Sequence, residues 1–94
     1  MPRYISLLRF TPQGAKNIKK SPARAASFSK AVAKSGVKVE CQLWTTGAYD
    51  GILIVSAENE AAALKAIAAL AADGHVTTHT MRGLDAKEFA AIVR

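Results

Sequence analysis

Apolar and polar positions alternate with two different periods along the chain, and the change of period marks the elements. Residues 3–10 (RYISLLRF) carry β-branched and aromatic side chains without a breaker and read as a strand. Residues 11–20 (TPQGAKNIKK) read as a loop holding at most one helical turn. Ser21-Pro22 marks a helix start, because the hydroxyl can cap free N–H groups and proline suits the first turn. That helix is expected to reach about Ser35, with Phe28 and Val32 on one face and Gly36 in the left-handed position that ends it. Residues 37–45 alternate: Val37, Val39, Cys41 and Leu43 are expected to point one way, and Lys38, Glu40, Gln42 and Trp44 the other. Gly47-Ala48 makes a turn, and residues 49–56 (YDGILIVS) form a strand apolar on both sides. Asn59 or Ser56 caps an alanine-rich helix over residues 60–72, with Leu64, Ile67, Ala68 and Ala71 on its inner stripe, and Asp73-Gly74 stops it. Residues 75–82 form a threonine-rich final strand. Asp85 with Glu88 makes a capping box for a short C-terminal helix carrying Phe89, Ile92 and Val93.

The order β-α-β-β-α-β plus a terminal helix is the ferredoxin-like α+β arrangement, an antiparallel four-stranded sheet with helices on one face. Right-handed crossovers put the first and third strands in the centre. Those central strands are apolar on both sides: Ile5 and Leu7 lie opposite Tyr4, Leu8 and Phe10, and Ile52 and Ile54 lie opposite Leu53 and Val55. A sheet that is apolar on both faces needs a second cover. The simplest cover is the same face of a second copy, so a homodimer is expected, with the open sheet faces packed together.

Ninety-four residues make one domain, taken here as residues 1–94. A chain of this size buries only roughly 65% of the surface its unfolded state exposes, which favours association. No apolar stretch reaches the about 18 residues needed to span a membrane, and no signal peptide is visible, so the expected compartment is the cytoplasm. Cys41 is the single cysteine; it allows no internal disulfide and reads as a buried structural thiol. The net charge of +6 is unevenly spread. Nine basic residues and no acid precede Glu40, whereas seven acids and four bases follow from Glu40 onward. The basic first half could attract nucleic acid, an anionic ligand or an acidic partner, or simply form a solvated helix face.

Three groups of residues resemble one family. Thr11, Gly14, Ile18, Lys19, Ser21, Pro22 and Arg24 fit the pattern T-x-x-G-x-x-x-I-K-x-S-P-x-R. Gly47, Tyr49 and Asp50 fit G-x-Y-D, and Gly74, Val76, Thr78, Thr80 and Arg82 fit a final-strand pattern. Together they resemble the GYD-domain family of small bacterial and archaeal proteins over nearly the whole chain. The resemblance implies a dimeric α+β-barrel fold. Proteins of that broader fold include cofactor-free monooxygenases, haem-using enzymes and small-molecule binding domains, so the resemblance gives a fold without giving an activity.

The candidate chemistry is sparse. Tyr49 and Asp50 are adjacent in an expected strand and should face opposite sides. Asp50 is either a pocket carboxylate, able to act as a base, or an acceptor for backbone N–H groups, Arg24 or Lys19 that locks the hairpin. Tyr49 is a half-buried aromatic or a hydroxyl that steadies an oxyanion. His75 and His79 stand roughly 13 Å apart on one strand face and cannot share a metal. No metal site is expected and no cofactor is needed; a single histidine on haem stays open as an alternative. Trp44 lies among polar neighbours and lines either a cleft or a dimer seam. Lys16, Lys19, Lys20 and Arg24 put cations near a helix N-terminus, where a carboxylate or phosphate would be favoured. There is no glycine-rich phosphate loop and no aromatic RNA-binding signature, so nucleic acid is not an expected partner. The leading expectation is a small cytoplasmic homodimer that binds a small organic ligand between sheet and helices or across the dimer. Tyr49, Asp50, Trp44 and His79 would line the site, with Lys19 and Arg24 for anionic groups. The alternatives are a cofactor-independent oxygenase or isomerase, with Asp50 or His79 as base and Tyr49 at the oxyanion, and an interaction module that uses the basic first half.

Overall fold

In the computed structural model, which describes residues 1–94, one antiparallel sheet carries two 13-residue helices packed on one face. The elements are β1 (Arg3–Phe10), α1 (Pro12–Lys16), a 3₁₀ turn (Ile18–Lys20), α2 (Ser21–Ala33), β2 (Lys38–Trp44), β3 (Gly51–Ser56), α3 (Glu60–Ala72), β4 (Val76–Gly83) and α4 (Ala86–Val93). The strand order β2-β3-β1-β4 puts β1 and β3 in the centre, the ferredoxin-like order expected from the sequence. No helix is long and apolar enough to cross a membrane.

The core lies between the sheet and its helices. Tyr4 and Leu8 of β1 join Leu53 and Val55 of β3, and Val32, Ala63, Ala66 and Ile67 close over them from α2 and α3. Ser6 is fully buried in the same layer, and its hydroxyl shares a 2.7 Å hydrogen bond with Thr80 Oγ1. That bond removes the penalty of an unpaired buried hydroxyl. Tyr4 donates its phenol to Glu60 Oε1 at 3.1 Å. Burial, followed by the hydrogen bond and charge of Glu60, holds that phenol above the usual tyrosine pKa.

Helix ends follow local chemistry. The N–H of Val37 reaches Val32 O, and the N–H of Gly36 reaches Ala33 O, with Gly36 at φ 78°. This pair of bonds is the Schellman stop, and buried Val32 and Val37 supply its apolar contact. Asn59 caps α3 through Ala62 N–H, and Asp85 and Glu88 form a reciprocal capping box on α4. Residues 11–20 are more helical than expected. Thr11 caps α1 through Gly14 N–H, and its hydroxyl donates to Gly74 O at 2.6 Å. Gly14 lies so close to the start of β4 that an added Cβ would stand 1.9 Å from His75 O. Thr11, Gly14 and Gly74, separate in sequence, are therefore one junction between α1 and β4.

Four expectations are corrected. Ser21 does not cap α2; it is the first helical residue, and Lys20 precedes it with no side-chain cap bond. On α3 the buried stripe is Ala63, Ala66 and Ile67, while Leu64 faces outward. The small side chains let the helix lie close on the sheet. β3 begins at Gly51 instead of Tyr49, because the Asp50 carboxylate turns back to accept from Phe10 N–H at 2.8 Å. The largest correction concerns β2. Val39 pairs with Val55, but the next pair is Cys41 with Ile54, which leaves Glu40 as a bulge. A bulge reverses the faces beyond it. Gln42 and Trp44 therefore join Leu53 and Gly51 on the helix side, and Cys41 and Leu43 join Ile54 and Ile52 on the open side. Cys41 is half-buried there instead of sitting in the core.

The open face carries Ile5, Leu7, Ile52, Ile54, Leu43 and Met81, the last two about half exposed. α4 buries none of its residues, and its Phe89, Ile92 and Val93 are exposed.

Candidate functional site

The bulge at Glu40 and the turn-back at Asp50 place polar side chains around one cleft on the helix side of the sheet. The cleft has a volume of about 580 Å³ and runs between α2 and the strands β1, β2 and β3. Its floor and walls are apolar, with Leu8, Leu53, Phe28, Val32, Leu70 and Val76 among them. Polar groups converge on it: Ser21 and Arg24 from the first turn of α2, Gln42 and Trp44 from β2, Asp50 from the hairpin, and Asp73 and His75 from the α3–β4 junction. Apolar walls with a few placed polar groups are the common form of a small-molecule site.

Several of these groups hold one another. Trp44 Nε1 donates to Ser21 Oγ at 2.9 Å, tying the end of β2 to the start of α2. Asp50 accepts from Phe10 N–H through Oδ2, while its own N–H donates to Leu8 O at 2.8 Å. Asp73 Oδ2 lies 2.7 Å from His75 Nδ1. Arg24 Nη1 donates to Asn17 O at 3.0 Å, but its Nη2 is buried with no hydrogen-bond partner in the chain.

The residues singled out from the sequence divide between two faces. Trp44, Asp50 and Arg24 line the cleft. Tyr49 lies beyond the other face, in a shallow depression with Leu7 and Ile52. There its ring meets His79 edge-on, with centroids 5.8 Å apart, and Arg9 places its guanidinium 4.7 Å from the ring centroid. Arg9 also donates through Nε to Ala48 O at 2.9 Å, so a cation–π contact and a hydrogen bond fix the hairpin against β1. Lys19 is exposed on the 3₁₀ turn and lines neither hollow, whereas its neighbour Lys20 lines the cleft. Asp50 and Tyr49 thus face opposite sides, and within one chain they cannot act on the same atom.

Gln42, Ser21 and Asp73 line the cleft without a site role expected from the sequence, whereas Lys20 belongs to the cation group expected near the helix start. Gln42 was hidden by the bulge, which only the partner strand's register reveals. Ser21 reads from the sequence as a cap, whereas its hydroxyl accepts from Trp44 Nε1. Asp73 reads, with Gly74, as a helix stop, and its pairing with His75 shows only in the structure.

The GYD domain family model matches residues 4–93 of the chain. The chain is 32% identical over 92 residues to the "Glutamine synthetase and cystathionine beta-lyase binding protein" of Thermus thermophilus, with 97% of each chain covered. No solved structure matches it.

Proposed function

The chain belongs to the GYD domain family, and we propose that it is a small homodimeric protein that binds a small organic molecule in the cleft between α2 and the sheet. The observation that carries this reading is the cleft itself. Its volume lies inside the roughly 300–1,000 Å³ range of small-molecule sites, and it joins apolar walls to convergent polar groups. Dimer formation through the open face would cover Ile5, Leu7, Ile52 and Ile54 while leaving the cleft free, because the two lie on opposite sides of the sheet. Backbone amide spectra recorded against a fragment library test the reading. Ligand-induced shifts grouped at Phe28, Val32, Gln42 and Leu53 support it. Shifts confined to the open face refute it.

A second reading has its own support. The relative from Thermus thermophilus is named as a binding protein for two enzymes and matches this chain over almost its full length. By analogy, this chain would engage a partner enzyme. The exposed apolar side chains of α4 and the basic first half supply surfaces of the kind such contacts use. Sedimentation of the protein mixed with purified glutamine synthetase from the same organism tests this. Co-sedimentation that weakens as salt rises supports a basic contact surface, and independent sedimentation at high protein concentration counts against it.

A further inference from the structure

The polar groups around the cleft are unequally satisfied, and the imbalance has a sign. Of the acids, Asp50 holds Phe10 N–H and Asp73 is engaged by His75. Of the cations, neither is ion-paired: the chain's ion pairs are Arg3–Glu88, Lys38–Glu40 and His75–Asp73, and none includes Arg24 or Lys20. Arg24 is the more constrained of the two. Asn17 O fixes one end of its guanidinium, while Nη2 is buried and lacks a partner. A guanidinium stays charged at all ordinary pH values and offers its donors in a planar fork. Withdrawing one of those donors from water without an acceptor is unfavourable, and an acceptor delivered by a ligand removes that penalty.

The surroundings favour an anion as the acceptor. Arg24 lies in the first turn of α2, which contains no acidic residue and has no side-chain cap. A carboxylate presents two coplanar oxygens that match the fork. A dianion is less suited, because Asp50 and Asp73 share the cleft and repel added negative charge. Beyond Arg24 the walls are apolar, formed by Phe28, Leu53, Leu70 and Val76. We infer that the ligand is an organic monocarboxylate with an apolar body, its carboxylate on Arg24 and its body along α2 over the sheet. The inference rests on the reading of this cleft as a ligand site and adds the chemical class.

Trp44 is the chain's single tryptophan and lines the cleft, so its fluorescence reports occupancy. The experiment titrates 4-phenylbutanoate, 4-phenylbutan-1-ol, 4-phenylbutylamine and 4-phenylbutyl phosphate into the wild-type protein, Arg24→Gln and Arg24→Lys. The carboxylate is expected to bind at least tenfold more tightly than the alcohol and the amine, and more tightly than the phosphate. In Arg24→Gln the gap between acid and alcohol closes. In Arg24→Lys, which keeps the charge and loses the fork, the gap is intermediate. Equal affinities of acid and alcohol in the wild type overturn the carboxylate class and leave the cleft reading standing. A tighter phosphate overturns the monoanion. No response of Trp44 to any of the four compounds overturns both the class and the cleft reading. If Arg24→Gln fails to fold, as circular dichroism would show, the wild-type series and Arg24→Lys decide: a gap that Arg24→Lys leaves at its wild-type size overturns the role of the fork.

Discussion

Replacing Gly14 with alanine should destabilise the domain, although the change improves helix propensity. In an open helix, Gly→Ala is stabilising by about 1 kcal/mol. Here the added Cβ would stand 1.9 Å from His75 O and 2.9 Å from His75 C, inside the 3.0 Å limit that real Cβ contacts respect. The obstacle is backbone, so no side chain can rotate away. α1 and the start of β4 must separate by about an ångström, which overpacking data put at roughly 1–3 kcal/mol. The shift also disturbs two bonds across the junction, Thr11 N–H to His75 O at 3.0 Å and Thr11 Oγ1 to Gly74 O at 2.6 Å. Each bond contributes roughly 1 kcal/mol. With the two bonds weakened by about half and the propensity gain of about 1 kcal/mol set against the loss, the net cost is roughly 2 kcal/mol. For a domain of this size that corresponds to a fall in Tm of about 8–16 °C. Urea unfolding followed by circular dichroism measures it, with the m-value checked for constancy. Gly14→Ala as stable as wild type, or more stable, would refute the close approach of α1 to β4 and with it the placement of His75 at the cleft.

Two further predictions concern the core and the open face. The Tyr4 phenol has a raised pKa in the folded state, so the folded protein holds that proton more tightly than the unfolded chain does. Its stabilising contribution is complete below about pH 10 and is lost as pH rises through the folded value, a loss that Tyr4→Phe should abolish in unfolding curves measured across alkaline pH. Ile54→Glu puts a charge in the middle of the open face without touching the helix-side core. It should convert a dimer to a folded monomer in light scattering, and a dimer that persists would count against this face as the seam.

Most of the fold was legible because its signals are local. Asn59, Asp85 with Glu88, and Gly36 terminate helices by bonds within a few residues, so their chemistry shows in a short window. The element order with right-handed crossovers likewise put β1 and β3 in the centre, where the strand order has them. What failed to show depends on partners distant in sequence. The bulge at Glu40 exists only relative to the register of β3, and it decides which face Trp44 and Gln42 occupy. The turn-back at Asp50 depends on Phe10 N–H, forty residues away in the chain. Arg24 was readable as a cation near a helix start. That one of its nitrogens lies buried and unpaired follows from the packing of α2 over the sheet, which no spacing rule conveys.

The most direct test of the central claim, a dimer with an organic ligand in the α2 cleft, is native mass spectrometry of freshly purified protein with and without added 4-phenylbutanoate, followed by the denatured mass of the same sample. The account predicts a dimer that carries bound organic mass, endogenous or added, and a bare chain mass after denaturation. A monomer at micromolar concentration would contradict the assembly, and a dimer that carries no organic mass, endogenous or added, would contradict the account of the cleft.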